Sequence, residues 1–321
     1  MDYELDVVKS PPPMQSIAAL RANIERVIKG KGESIRLLLI ALLGRGHALI
    51  EDIPGVGKTS LARALAQSIS CTFRRVQLTS DLLPSDLIGV SIYREEDDAF
   101  SFKPGPLFAN IVLADEINRT PPRTQSCLLE AMSEGQISVD GATHKLPDPF
   151  LVVATQNPME HAGTYPLPDS QLDRFLISFE LGYPDVDSER AMLNEQTNGH
   201  PLDQITPVMN TEELRAAQKA VQAVKVHDDL VTYILRLAAE TRKESTLALG
   251  ASPRATLGLR RAAQAAALLG GRDHVRPDDI KSLAVAVLAH RIVPRDAFGL
   301  GSRKARVDAL RKLLDRVPVP V

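Results

Sequence analysis

Tryptophan is absent from the 321 residues, aromatic residues make up only 4%, and there are two cysteines. Cys71 and Cys127 stand in no paired or metal-ligand spacing, which excludes a disulfide framework and suits a reducing compartment. Long apolar runs are missing too. The longest, Leu37 to Leu43 and Leu283 to Ala289, hold seven residues each, far short of the ~20 that cross a bilayer. The chain opens Met1-Asp2-Tyr3-Glu4 and then meets Pro11-Pro12-Pro13, without the basic start or apolar stretch of a secretion signal, so a cytoplasmic location is expected. Charge of one sign is also lacking: 38 Lys and Arg against 40 Asp and Glu leave a formal net charge of −2. No whole-chain pull toward nucleic acid or an anionic membrane follows.

What remains is an ordinary globular composition, 44% hydrophobic and 24% charged, in a chain long enough for about two domains of ~150 residues. Residues 1–13 read as a flexible lead, because they are polar and end in three prolines. From Met14 the pattern turns helical, and residues 47–183 alternate short β-branched runs with helical stretches, a first domain over 14–184. The strand candidates are His47 to Ile50, Phe73 to Leu78, Ile111 to Ala114, Phe150 to Ala154 and Leu176 to Phe179, and that alternation predicts a parallel sheet flanked by helices. Residues 211–316 are rich in Ala, Leu, Arg and Glu with almost no strand signal, which predicts an all-α second domain over 185–321. Within it, Ser252 caps a helix opened by Pro253 and ended by Gly270-Gly271, and another helix starts near Pro277. The last helix carries Val307, Leu310, Leu314 and Val317 as one apolar stripe, with its Arg and Lys facing water.

The strongest chemical signal is Asp52-Ile53-Pro54-Gly55-Val56-Gly57-Lys58-Thr59-Ser60, placed between a strand and a helical stretch. Gly55 and Gly57 let backbone N–H groups turn inward around a phosphate, and the following helix adds its positive N-terminal end. Lys58 supplies a charge for the β and γ phosphates, and the Thr59 hydroxyl is a natural Mg²⁺ ligand. One departure stands out: Asp52 occupies the position where such loops usually open with glycine. A partner site lies at Ile111-Val112-Leu113-Ala114-Asp115-Glu116, an apolar strand delivering two acids at its C-terminal end. Successive strand residues point opposite ways, so the acids divide their labour: Asp115 for Mg²⁺, Glu116 for the attacking water. The seven histidines fall in no ligand spacing, so no metal is expected beyond the nucleotide's Mg²⁺.

From about Gly30 to Pro184 the sequence resembles the MoxR-type AAA+ ATPases, with a weaker likeness through the C-terminal helices. The likeness rests on Gly46 through Thr59, where relatives often carry Asp at the position of Asp52, and on Leu113 to Arg119, Ala154 to Pro158, Gly163 to Pro168 and Gln171 to Phe175. It implies a P-loop AAA+ core with a C-terminal all-α lid, and an ATPase that works with ATP and Mg²⁺ at the subunit interfaces of a ring, usually a hexamer. Asn157 then resembles sensor 1, beside Glu116. Arg174 resembles a trans-acting arginine finger, with Arg123 and Arg119 as competitors and a salt bridge to Asp173 or a nearby acid as the plainer alternative. Arg254 resembles sensor 2 of the lid and is expected to act on the phosphates of its own subunit. Residues 91–106 resemble a helix-2 insert, and Gln136 to Leu146, turning at Asp140-Gly141, a pre-sensor-1 hairpin; both are expected to touch a client or partner. The family further implies a chaperone-like role beside a protein carrying a von Willebrand factor A domain. The alternative is a DNA-directed motor akin to replicative helicases, which the neutral charge disfavours. A nucleotide switch without turnover is disfavoured by Glu116.

Overall fold

In the computed structural model the described residues are 12–96, 98–158, 163–195, 201–295 and 303–320. The proposed lead therefore lies, up to residue 11, outside them. Two helices come first, α1 (Pro12–Val27) and α2 (Gly32–Leu43). Helix α1 begins at Pro12 rather than Met14, because a proline in the first turn lacks only an N–H that would be unpaired there anyway. The chain continues through β1 (Ala48–Glu51), α3 (Lys58–Ser68), β2 (Phe73–Gln77), α4 (Pro84–Ile88) and a hairpin of β3 (Gly89–Arg94) and β4 (Ala99–Pro104). Next come β5 (Ile111–Asp115), α5 (Pro122–Glu134), a second hairpin of β6 (Gln136–Val139) and β7 (Ala142–Lys145), then β8 (Leu151–Gln156), α6 (Asp169–Leu172) and β9 (Ile177–Phe179).

Five of these strands form one parallel sheet in the order β2-β5-β8-β1-β9. Each inner strand is apolar on both faces and splits its side chains between two cores. Ile111 and Leu113, with Leu151 and Val153, join the core beneath α1, α2 and α3, whereas Val112 and Ala114, with Val152 and Ala154, join the core beneath α5. Because all five strands are parallel, their C-terminal ends share one edge. The loop after β1, the acids after β5 and the segment after β8 therefore meet by construction.

The remainder is helical: α7 (Val186–Glu195), α8 (Thr211–Ala223), α9 (Asp228–Lys243), β10 (Leu247–Leu249), α10 (Pro253–Leu269), α11 (Pro277–Leu288), β11 (Val293–Pro294) and α12 (Arg303–Leu314). Ser252 caps α10 by accepting the Ala255 N–H at 3.1 Å. The antiparallel pair β10–β11 departs from the strand-free expectation; three and two residues are too few to show a period. A second departure is in α12. Leu310 and Leu314 are buried as the stripe requires. Arg303 and Arg306, however, turn to the core: Arg303 pairs with Glu51 and Glu180 at 2.8 Å, and Arg306 with Asp169 at 3.3 Å. A basic helix can face a protein surface when acids on that surface pair its charges.

Candidate active site

The loop between β1 and α3 is shaped by two glycines and one buried acid. Gly55 and Gly57 adopt φ of +85° and +96°, and a Cβ built on either meets nothing within 4 Å, so the cradle is open to a ligand. Asp52, at the position usually held by glycine, is buried and structural. Its Oδ2 accepts the backbone N–H groups of Leu181 (2.7 Å) and Gly182 (2.6 Å), and its Oδ1 that of Ile53 (2.8 Å), tying the loop to the chain that leaves β9. Pro54 and Gly55 are exposed at the tip, while Val56 packs partly onto the core. Gly57 caps α3 without a side chain, and Lys58, Thr59 and Ser60 form its first turn. Lys58 Nζ donates to the carbonyls of Asp52 (2.9 Å) and Ile53 (2.8 Å). Partial burial pulls its ammonium below the ordinary lysine range, against the opposing charges of Asp52, Asp115 and Glu116. Those acids thus lie within electrostatic reach of the loop lysine.

The two acids are held by different partners. Asp115 is buried; its Oδ1 accepts the Thr155 hydroxyl at 2.6 Å, and its Oδ2 accepts Arg75 Nε and Nη2 at 3.1 and 2.8 Å. Glu116 sits in the left-handed region at φ 59°, costly for a residue with a side chain. Its N–H donates to Thr155 Oγ1 at 2.9 Å, and its Oε2 accepts Gln77 Nε2 at 2.6 Å and lies 3.2 Å from Arg119 Nε. One hydroxyl therefore braces both acids. Asn157 follows β8 directly at the same edge, its carbonyl accepting Asn118 Nδ2 at 3.4 Å. Gln77 and Arg75 carry no sequence signal of their own, being placed beside the acids by strand register, and Thr155 lies within the Ala154 to Pro158 motif without a role that the motif assigns.

Arg174 and Arg254 sit elsewhere. Leu176 N and Ile177 N donate to the carbonyl of His47, and Ala48 pairs with Ile177, so the chain entering β9 lies at the N-terminal edge of the sheet. There Arg174 Nη1 donates to Leu129 O (2.7 Å) and Ser133 Oγ (2.8 Å) on the last turns of α5, both neutral acceptors. Its neighbour Asp173 is taken by Arg291, at 3.1 Å, and by Ser252 Oγ at 3.0 Å. Ser252 caps α10, so exposed Arg254, two residues on, shares this edge, near enough to Arg291 to help lower its pKa to about 10, chiefly a burial effect. The loop lies across the sheet, beyond β1, whose four residues span roughly 10 Å at ~3.3 Å each. Of the competitors, Arg119 is engaged with Glu116 and Arg123 is exposed on the first turn of α5. A cation in the first turn of α10 opposes the helix dipole, so folding alone gives no reason for Arg254.

Hard oxygen donors at Thr59 and Asp115, beside an open phosphate cradle, fit Mg²⁺. Among the described residues no three His, Cys, Asp or Glu cluster as a self-sufficient metal cage, so such an ion relies on phosphate oxygens and water.

Residues 47–177 match the ATPase family associated with various cellular activities (AAA), and residues 239–310 match an AAA lid domain. The chain is 49% identical to the protein YeaC of Bacillus subtilis, over 93% of each chain. It is 43% identical to the chaperone MoxR1 of Mycobacterium tuberculosis, over 84% of this chain and 74% of that one. Among solved structures, a proposed ATPase from Cytophaga hutchinsonii superposes with a TM-score of 0.87 at 36% identity, covering 96% of both chains.

Proposed function

We propose, from the premise that this chain belongs to the MoxR family of AAA+ ATPases and hydrolyses ATP, that each nucleotide is hydrolysed between two subunits of a homo-oligomeric ring. The observation that carries this is the division of the chemistry between opposite edges of one sheet. Lys58, Thr59, Asp115, Glu116 and Asn157 gather at the C-terminal edge, and Arg174 and Arg254 at the other. One chain alone presents a cradle without its arginines.

Lys58 exchanges its carbonyl partners for phosphate oxygens, and the N–H groups of the α3 first turn hold the phosphate between them. Thr59 and Asp115 would hold the nucleotide's Mg²⁺, which would supply positive charge to the phosphate oxygens. Glu116 takes a proton from the attacking water, and Asn157 orients that water or the γ-phosphate through its side-chain amide. Arg174 of a neighbouring subunit stabilises the charge that develops on the transferred group. Arg254 reads the same neighbour's phosphates, rather than those of its own subunit, and so couples the lid to hydrolysis. A hexameric ring fits this alternation of cradle and arginines. The two hairpins give the ring a surface for a protein client, which it remodels or activates: Val90, Ile92, Tyr93 and Phe100 are exposed on β3–β4, and Phe102 stacks on His144 of β6–β7 with centroids 3.9 Å apart. A von Willebrand factor A protein would deliver that client.

The test mixes two inactive variants, Lys58→Ala and Arg174→Ala. Mixed rings contain interfaces with an intact cradle facing an intact arginine, so ATPase activity returns to a measurable fraction of the parent rate. No recovery, in an assembly shown by mass spectrometry to mix, overturns trans action.

A further inference from the structure

Arg291 follows α11 and is buried, its side chain only 3% exposed. A guanidinium taken out of water needs partners for its charge and its donors, and those of Arg291 come from one segment. Nη2 donates to the carbonyls of Asp173 (3.1 Å) and Phe175 (2.7 Å), and Nε forms an ion pair with Asp173 Oδ1 at 3.1 Å. The residue between those two is Arg174. The Asp173 carboxylate also accepts Ser252 Oγ at 3.0 Å, and Ser252 caps α10 two residues before Arg254. Asp173 is thus the joint between the segment of one arginine and the helix of the other. The last nitrogen, Nη1, has no hydrogen-bond partner among the described residues and lies against Gly258, where a Cβ would come within 2.6 Å of it. Glycine is unfavourable inside a helix; here it clears the space that the guanidinium fills.

We propose that Arg291 is a positioning residue that sets Arg174 and Arg254 as one unit, so that both arrive together at a neighbouring subunit's phosphates. The inference rests on the trans reading of those two arginines. Arg254 is exposed, so its reach follows the backbone of the first turn of α10, and that turn is docked through Ser252. The reach of Arg174 follows the backbone between Asp173 and Phe175, whose carbonyls Arg291 holds. A planar fork suits this task, because the point charge of a lysine cannot meet two carbonyls and a carboxylate in fixed directions. Two cations held in advance lose less freedom on meeting one anion than two that must be ordered separately.

The test follows phosphate release from ATP by the assembled full chain. Arg291→Met keeps an apolar stem and removes the fork, and kcat falls roughly ten- to a hundredfold while nucleotide affinity stays within about threefold of the parent. An unchanged kcat overturns the proposal. Mixing separates positioning from plain support of the fold. With an excess of Lys58→Ala subunits, each Arg291→Met cradle faces the unaltered arginines of a neighbour. The rate per Arg291→Met subunit then rises to within about threefold of that of parent subunits in the same excess. A rate that stays at the level of Arg291→Met alone means that Arg291 serves its own subunit's cradle, and overturns the proposal. Arg174→Ala in the same excess is the control: if it too fails to recover, the trans reading itself falls, and the proposal with it. The joint role is tested in two further backgrounds. Arg291→Met still lowers kcat at least about threefold in Arg254→Ala, through Arg174, and in Arg174→Ala, through Arg254. Loss of the effect in either background means that a single arginine is placed, and overturns the joint role. Gly258→Ala, whose Cβ crowds Nη1, is read by the same criteria should Arg291→Met fail to assemble.

Discussion

The two edges of the central sheet follow different physical rules. At the C-terminal edge the groups proposed to react keep exchangeable partners: Lys58 rests on two carbonyls, Asp115 on a half-exposed arginine, and Glu116 on a glutamine amide and Arg119. Phosphate, cation or water can replace each of those partners. At the N-terminal edge Arg174 and Arg254 reach solvent, but the polar groups beneath them are dry. His47 is buried with its Nε2 on Met132 O (2.9 Å) and its Nδ1 accepting the Val152 N–H (3.0 Å). His290 and Arg291 are buried against Phe175 O, at 2.9 and 2.7 Å. Desolvation makes the bonds of His47, His290 and Arg291 costly to break. One edge is suited to exchanging ligands, the other to holding the lid and the arginines at fixed positions.

The largest effects should come from removing one reactive group at each edge. Glu116→Gln, which keeps the shape and loses the base, is expected to lower kcat about 10²- to 10⁴-fold. Arg174→Ala should lower it about 10³-fold. Equilibrium titration should find nucleotide affinity in both variants within about threefold of the parent, because the cradle of Gly55, Gly57 and Lys58 is untouched. The distinction between the edges breaks if Arg174→Ala abolishes nucleotide binding, since trans action leaves an arginine at the N-terminal edge out of its own subunit's cradle.

A smaller, oppositely placed effect should appear with pH. Burial lowers the His47 pKa from 6.5 to about 4, and burial together with Arg291 drives that of His290 well below its ordinary value. Between pH 6.5 and 4 the unfolded chain therefore binds a proton at residue 47 that the folded chain refuses, so stability is full above pH 6.5 and is lost as pH falls. For His47 alone the loss amounts to about 3 kcal/mol. Urea unfolding at steps from pH 7 to pH 4, in the parent and in His47→Gln, isolates that share as the difference in slope. Matching slopes would mean that this edge is not dry.

Legibility in the sequence divides along the same line. The loop from Asp52 to Ser60 and the acids Asp115 and Glu116 are local strings, each with strand and helix context written beside it, and the parallel α/β core follows from the alternation of short apolar runs. The Asp140-Gly141 turn is equally local, with Asp140 at φ 50° and Gly141 at φ 80°. Arg75 and Gln77 are illegible, and Thr155 is legible only as part of a motif and not as a brace, because their contacts are a matter of register: they lie about 40 residues from the acids in sequence and reach them through ladder pairing. Arg254 is readable as the second residue of a capped helix, but its edge of the sheet is set by how Ser252 meets Asp173, a contact spanning 79 residues. Nor does composition reveal that α12 turns Arg303 toward Glu51, since a basic helix face suits water and a paired acid surface equally well.

The smallest effect concerns the hydroxyl that braces the exchanging edge. Thr155 Oγ1 donates to Asp115 and accepts from the Glu116 N–H, at a backbone position where Glu116 already carries left-handed strain. Thr155→Val preserves volume and β-branching but leaves a buried carboxylate oxygen one donor short and a backbone N–H without its acceptor. Each costs about 1–3 kcal/mol when buried outright, and less where water reaches the edge. Both acids remain in place, so kcat is expected to fall only about tenfold, a loss of ~1.4 kcal/mol in transition-state stabilisation. The unfolding free energy should drop by about 1–2 kcal/mol. Thr155→Ser restores the hydroxyl without the methyl, and kcat should return to within about twofold of the parent while part of the stability loss remains. That split between rate and stability separates a brace for the reactive acids from a plain packing residue: if Ser and Val lower kcat alike, the hydroxyl does not hold Glu116, and the strain at that residue has another support.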